Sequence, residues 1–204
     1  MSDQEKPNGD AAGWRLISTD YPFTCRVFRL RRDRIQVGDR HELEFAYLET
    51  KGAVWIVPVT TDGKIVLIRQ YRYAVDDWVW EVPAGGLFDH EGNPESLAAK
   101  ELAEEIGGQC EALQYLGWFY GGPAISDLKC HVFIAHNTRL DRPPALEPTE
   151  MIQIHTVSIG EALQMARDGR MLDGRSSLAL LRSEPHLRPG LQGIQNSPAP
   201  ARAS

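Results

Sequence analysis

The segment with the most chemistry in it is KELAEEIGG, Lys100 to Gly108. On a helix of about 100° per residue, Glu105 falls about 40° to one side of Glu101 and Glu104 about 60° to the other. Three carboxylates then share one face, while Ala99, Leu102, Ala103 and Ile106 turn toward a core. Acids this crowded repel one another unless positive charge sits among them. A hard divalent cation meets that need, because it binds carboxylate oxygens and keeps several waters. A second cation could bridge the same side chains. The ordinary alternative is a solvated acidic helix face.

Flanking residues set the frame for these acids. Asn93 is placed to cap a helix over Pro94 to Ile106, Pro94 suits its first position, and Gly107 and Gly108 stop it. Upstream runs WEVPAGGLFDHEGNPESLAA, where a Pro-Ala-Gly-Gly turn leads from a strand into the loop before the helix. Glycines there let backbone carbonyls approach a metal or a phosphate.

Around this unit, β-branched and aromatic residues predict strands in CRVFRLRRDRIQV, LEFAYLET, AVWIVPVT, KIVLIRQY, ALQYLGWF, LKCHVFIAH and MIQIHTVS. Thr61, Asp62 and Gly63 read as a hairpin turn. Ser158 and Glu161 have capping-box spacing for a second helix to about Arg167, and a short third helix is expected over Ser177 to Leu181. Runs of strands with few helices between them imply a mixed sheet with helices packed on its faces. Residues 1–12 and 185–204 are polar or proline-rich and are expected to be disordered tails.

Length and composition suit one soluble globular domain: 42% of residues are hydrophobic and 25% charged. The net charge of -6 argues against a nucleic-acid partner but leaves phosphate substrates open, since a bound cation can reverse the local sign. Three cysteines, Cys25, Cys110 and Cys130, are odd in number and widely spaced, which fits free thiols in a reducing cytosol. With no stretch long enough for a membrane span and no signal-peptide pattern at the start, a cytoplasmic protein without membrane partners is expected.

The order of turn, loop, helix and carboxylates resembles the Nudix box. That family's pattern is a Gly, five residues, a Glu, seven residues, then Arg-Glu-aliphatic-any-Glu-Glu-any-Gly-aliphatic. Glu101, Leu102, Glu104, Glu105 and Gly107 fit it. Lys100 replaces the Arg, Gly108 replaces the last aliphatic residue, and the spacing is off by one. Counting back from Lys100 selects Gly86 and puts Gly92 at the Glu position. Counting forward from Gly85 finds Glu91 in place with one extra loop residue, and this reading is preferred. Glu91 and Lys100 would then form the structural pair, without bidentate geometry.

The resemblance implies an α+β, α/β/α sandwich fold: a mixed sheet with flanking helices over 51–184, preceded by an N-terminal antiparallel β segment over 13–50. It implies Glu101 and Glu105 as metal ligands, with the carbonyl of Gly85 or Ala84 as a further one. Glu104 would contact metal-bound water or a second metal. The metal would be magnesium, with manganese as a substitute.

Substrate choice must come from outside the box. Pro123, fifteen residues beyond Gly108 in GWFYGGPAISDLKCHVFIAH, resembles the loop of the ADP-ribose pyrophosphatase branch, although Leu128 stands where many relatives carry an acid. VLIRQYRYAVDDWVWEVPAGG resembles the same branch, so Arg72 would hold the diphosphate and Glu81 would support the site. In LEPTEMIQIHTV, Glu150 aligns best with a mobile catalytic Glu, with Glu147 as fallback. Tyr21, Phe23 and Tyr73 are candidate adenine clamps. His131, His136 and His155 receive no role. The implied reaction is hydrolysis of ADP-ribose to AMP and ribose 5-phosphate. Alternatives are a diphosphatase for GDP-mannose, ADP-glucose or UDP-glucose, and a non-catalytic nucleotide-sugar sensor. Relatives pair through their N-terminal strands, so a homodimer is expected.

Overall fold

Residues 6–88 and 93–187 are described in a computed structural model. After a short helix α1 (Pro7–Ala11), three long strands form an antiparallel sheet in the order β1 (Trp14–Thr24), β2 (Arg29–Val37), β3 (His41–Glu49). The second sheet begins with β4 (Ala53–Thr60) and β5 (Lys64–Arg72). Their turn closes as expected, with the Gly63 amide donating to the Thr60 carbonyl at 2.9 Å and Gly63 at φ +76°. Then come β6 (Asp77–Glu81), β7 (Ala84–Gly86), α2 (Pro94–Ile106), β8 (Gly108–Gln109), β9 (Ala112–Tyr120), β10 (Lys129–Leu140), β11 (Ile152–Ser158), α3 (Ile159–Asp168) and α4 (Gly174–Leu187).

The larger sheet runs β11-β5-β4-β10-β8, with β6 on β5, β7 on β4 and β9 on β10. Only the β4–β10 pairing is parallel, so the sheet is mixed. Successive strand residues face opposite sides. Val54, Ile56, Val66, Ile68 and Phe133 therefore bury against Leu97, Leu102 and Ile106 of α2. Trp55, Val57, Ile65, Leu67 and Val132 bury on the other side against Ala162 and Met165 of α3 and Ala179 and Leu180 of α4. This double burial is why AVWIVPVT reads as a continuous apolar run without alternation. No helix among the described residues is long and apolar enough to cross a membrane.

The helix ends follow their sequence signals. Asn93 accepts from the amides of Glu95 and Ser96 at 3.0 and 3.3 Å, and Ser158 accepts from Glu161 at 3.1 Å. Gly107 ends α2 at φ +64°, and a Cβ there would also collide with the Arg142 carbonyl.

Four expectations need amendment. Residues 1–12 are not all an unstructured tail: Pro7–Ala11 form a helical turn, and Lys6 reaches the Tyr47 hydroxyl at 3.1 Å. That tertiary anchor is invisible in a polar sequence. The expected boundary at 185 falls inside α4, which runs through Pro185 to the buried Leu187, while 188–204 lie outside the described residues. The third helix is longer than Ser177 to Leu181, because Asp173 caps it and Leu187 is still core. Cys25 to Phe28 form a turn, the Cys25 amide donating to the Phe28 carbonyl at 3.0 Å, so the first predicted strand starts late and follows a separate β1.

Candidate active site

Of the three clustered acids in the second half of α2, Glu101 and Glu105 turn toward β7. Glu105 is buried, and its Oε2 accepts from the Ala84 amide at 3.0 Å. Gly85 lies so close to Glu101 that a Cβ there would overlap the carboxylate. The glycine is thus needed for close approach of backbone to acid. Burial pushes the Glu105 carboxyl well above the usual carboxylate range, and the neighbouring Glu101 charge adds to it. Burial likewise raises Glu101 to about 7, with Lys100 opposing and Glu104, Glu150 and Glu147 adding.

Glu104 goes elsewhere. Its carboxylate pairs with Lys100 at 2.7 Å along the helix, on a half-exposed surface. The expected Lys100 partner, Glu91, lies outside the described residues. Among the described residues no three Asp, Glu, His or Cys side chains converge as a metal-ligating group. A buried and a half-buried acid with no ion-pair partner among the described residues, against a strand that Gly85 lets approach closely, still suit a hard cation that keeps most of its waters. Glu101, Glu105 and a carbonyl of Ala84 or Gly85 fit that role.

Arg72 and Glu81 come together across β5 and β6, Nε to Oε1 at 2.8 Å and Nη2 to Oε2 at 2.5 Å. The bidentate bond from Arg72 to Glu81 raises the guanidinium pKa, with Glu105 and Asp173 also contributing. Arg72 therefore stands beside the acid pair, with its side chain partly open to solvent.

Glu150 lies in the loop before β11. Its Oε2 accepts the Glu147 amide at 2.8 Å, and the Glu150 amide donates to the Glu147 carbonyl at 2.9 Å. Both carboxylates act on Glu101, and Glu150 acts on Glu105 as well. The loop is fastened to α2 by the Ala145 amide on the Glu104 carbonyl at 2.8 Å. At its other side Glu147 meets Arg26, from the β1–β2 turn, at 3.7 Å.

Pro123 lies apart from this group. It lines a cleft of about 210 Å³ with Phe45, Tyr47, Tyr120 and Asp127. Its loop docks on β3, the Leu48 amide donating to the Ile125 carbonyl at 2.9 Å and the Thr50 amide to Asp127 at 2.7 Å. The candidate clamps are scattered: Tyr21 lies under Arg29, Phe23 packs on Phe28, and Tyr73 projects from the β5–β6 turn. Sequence reading missed Asp173 and Ser176, at the start of α4. Their D-x-x-S spacing is a helix-start signal that a later helix start passed over.

A mixed sheet flanked by helices on both faces, with a pair of acids on one helix and a glycine strand against them, defines the class: a two-sided α/β sandwich. Residues 49–176 match the model of the NUDIX domain family, and the chain belongs to that family and is a hydrolase. Hydrolases of this family generally need divalent metal ions. The chain is 28% identical over 167 residues to the methanol dehydrogenase activator of Bacillus methanolicus, covering 81% of this chain and 90% of that protein. It is 33% identical over 162 residues to the ADP-ribose pyrophosphatase of Mycobacterium tuberculosis, covering 78% of each. A crystal structure of an ADP compounds hydrolase shares the fold with a TM-score of 0.73 at 19% identity, over 85% of this chain and 94% of that one.

Proposed function

We propose that the protein hydrolyses the diphosphate linkage of ADP-ribose to AMP and ribose 5-phosphate, using magnesium or manganese in its place. The observation that carries this reading is the Glu101–Glu105 pair, raised in pKa and without an ion-pair partner among the described residues, against Gly85 and beside Arg72. The likeness to an ADP-ribose pyrophosphatase supports the substrate.

Glu101, Glu105 and a carbonyl of Ala84 or Gly85 would hold the metal. When bound, it supplies positive charge against the diphosphate and makes water a stronger acid. Arg72, kept in a fixed orientation by Glu81, donates to the diphosphate through its outward face. Glu150, with Glu147 in reserve, takes the proton as water forms its bond to one phosphorus. The bond from that phosphorus to the bridging oxygen breaks, and the second phosphate leaves with the electron pair. Glu104 stays available for the same site, because a half-exposed ion pair with Lys100 is worth about 1 kcal/mol or less and a divalent cation outcompetes it. Pro123 shapes the substrate side of the loop that docks on β3.

A homodimer through the first sheet belongs to the same reading. Trp14, Ile17, Tyr21, Phe23, Val27 and Phe45 all stand exposed on or beside it, more apolar surface than a solvated sheet needs. Light scattering on the eluting protein measures this. The cysteines among the described residues are free, which suits a cytoplasmic setting.

The deciding experiment incubates purified protein with ADP-ribose and magnesium and separates products by chromatography. AMP and ribose 5-phosphate in equal amounts, abolished by a chelator, are expected. A panel with GDP-mannose, ADP-glucose and UDP-glucose ranks kcat/KM. Absence of AMP release from ADP-ribose overturns the substrate, and tight binding without turnover of any of the four makes the protein a sensor.

A further inference from the structure

One buried serine stands on the face of the sheet opposite α2. Ser176, in the first turn of α4, has no exposed surface. Its hydroxyl donates to Asp173 Oδ2 at 2.7 Å and accepts from the Val82 amide at 3.2 Å. Asp173 Oδ2 also accepts the Ser176 amide at 3.0 Å, and Oδ1 accepts Arg175 Nε at 3.1 Å. With its one proton committed to Asp173, the hydroxyl can offer only lone pairs to Val82.

Val82 is two residues before Ala84, whose amide is bound from the other face by Glu105. Pro83 stands between them with its φ fixed by the ring, and its carbonyl accepts from the Ile56 amide at 2.9 Å. Glu81, which holds Arg72, comes just before. The segment from Glu81 to Gly85 is thus gripped from α4 on one side and α2 on the other. It carries the Ala84 amide that Glu105 accepts from and the Gly85 that lies against Glu101.

We propose that Ser176, its hydroxyl oriented by Asp173, is a positioning residue for the acid site: it fixes the strand segment that brings backbone oxygen and Gly85 against Glu101 and Glu105. This rests on the metal-assisted reading given above. Removing the hydroxyl leaves the Val82 amide buried without an acceptor, and the segment must shift to find one. A displacement well under an ångström is enough to spoil a preorganised ligand set.

The test is manganese binding to the metal-free protein, read by electron paramagnetic resonance, in wild type, Ser176→Ala, Ser176→Cys and Ser183→Ala. Ser183 is the matched control: it is also fully buried on α4, but its hydroxyl donates to the Ala179 carbonyl of its own helix at 2.8 Å. Ser176→Ala is expected to weaken manganese binding about tenfold and lower kcat about 10- to 100-fold with KM little changed. Ser176→Cys, which fills the same space with a weak acceptor, falls between, and keeps the test alive if the alanine variant does not fold. Ser183→Ala keeps both properties. Amide exchange at Val82 and Ala84 accelerates in Ser176→Ala alone. Wild-type manganese affinity in a folded Ser176→Ala, or an equal loss in Ser183→Ala, overturns the proposal. Manganese binding that depends on Ser176 in a protein releasing no AMP sustains it while removing the substrate reading.

Discussion

In the first sheet, Arg31 is completely enclosed, and Asp33, Glu49 and Thr19 accept from its guanidinium at 2.8, 3.3 and 3.2 Å. Arg29 adds a second cation to Glu49. Beside β7 of the second sheet, Glu105 is buried and Glu101 half-buried, and among the described residues neither has an ion-pair partner. The first cluster brings its own counter-charge and is complete when the chain folds. The second holds acids together at an electrostatic cost that Lys100, Arg72 and the Ala84 amide offset only in part. The difference separates structural buried charge from functional buried charge: only the incomplete cluster has something to gain from a solute.

Exchanging the completeness of the two clusters breaks the comparison most sharply. Glu105→Gln removes the more enclosed acid, and kcat/KM for ADP-ribose is expected to fall about 1000-fold, the several kcal/mol of a lost metal contribution. The same variant should be more stable than wild type when metal-free, as thermal unfolding will show. Arg31→Met does the reverse: it strands the buried Asp33 without its cation, leaves Glu49 with Arg29 alone, and costs about 3–5 kcal/mol of folding stability by denaturant titration. Turnover per folded molecule stays at the wild-type level, and a selective loss of kcat would make Arg31 part of the site.

Glu104→Gln should lower kcat about tenfold, less than its buried neighbour, because Glu104 must first leave Lys100. A further sharpening is the pH dependence of the metal-free protein. Glu101 titrates at about 7 in the fold against an ordinary 4.5. Between those values the folded state holds a proton that the unfolded chain has released, so stability falls as pH rises through the window. The melting temperature of chelator-treated protein should decline from about pH 5 to about pH 7, and decline less steeply in Glu101→Gln, where the raised Glu105 still contributes. A curve that rises instead would mean that the acids are already neutralised. The smallest effect is expected from Lys100→Met, which frees Glu104 and tightens manganese binding by about two- to fivefold.

Much of this was legible in the residues. The acid turn, the Asn93 and Ser158 caps and the Thr61–Gly63 hairpin all depend on local rules, and each element forms where its pattern predicts. The mixed sheet follows from hydrophobic patterning in the same way, whereas the N-terminal antiparallel segment comes from the resemblance, and the mostly exposed β1 has no apolar pattern to announce it. What stayed hidden depends on partners distant in sequence. The wheel over Lys100 to Gly108 shows three acids on a face, but not that Lys100 draws Glu104 away while the Ala84 amide draws Glu105 in. The RQYR and WEVPAGG stretches were each readable, yet the bidentate Arg72–Glu81 pair depends on β5 and β6 lying in register. Ser176 lies 94 residues from Val82, so no spacing rule could join them. Pro123 was picked by its offset from the box, and its actual neighbours come from β3, which only the fold supplies.

Gly107 has one more consequence. It stops α2 with a left-handed backbone and leaves the gap into which the Arg142 carbonyl fits. The acid-bearing turn of α2 and the segment leading to Glu150 therefore share a common datum, and an error at that point is passed to both at once. Any larger residue there would misalign the acid and the proton acceptor relative to each other, although it touches neither side chain.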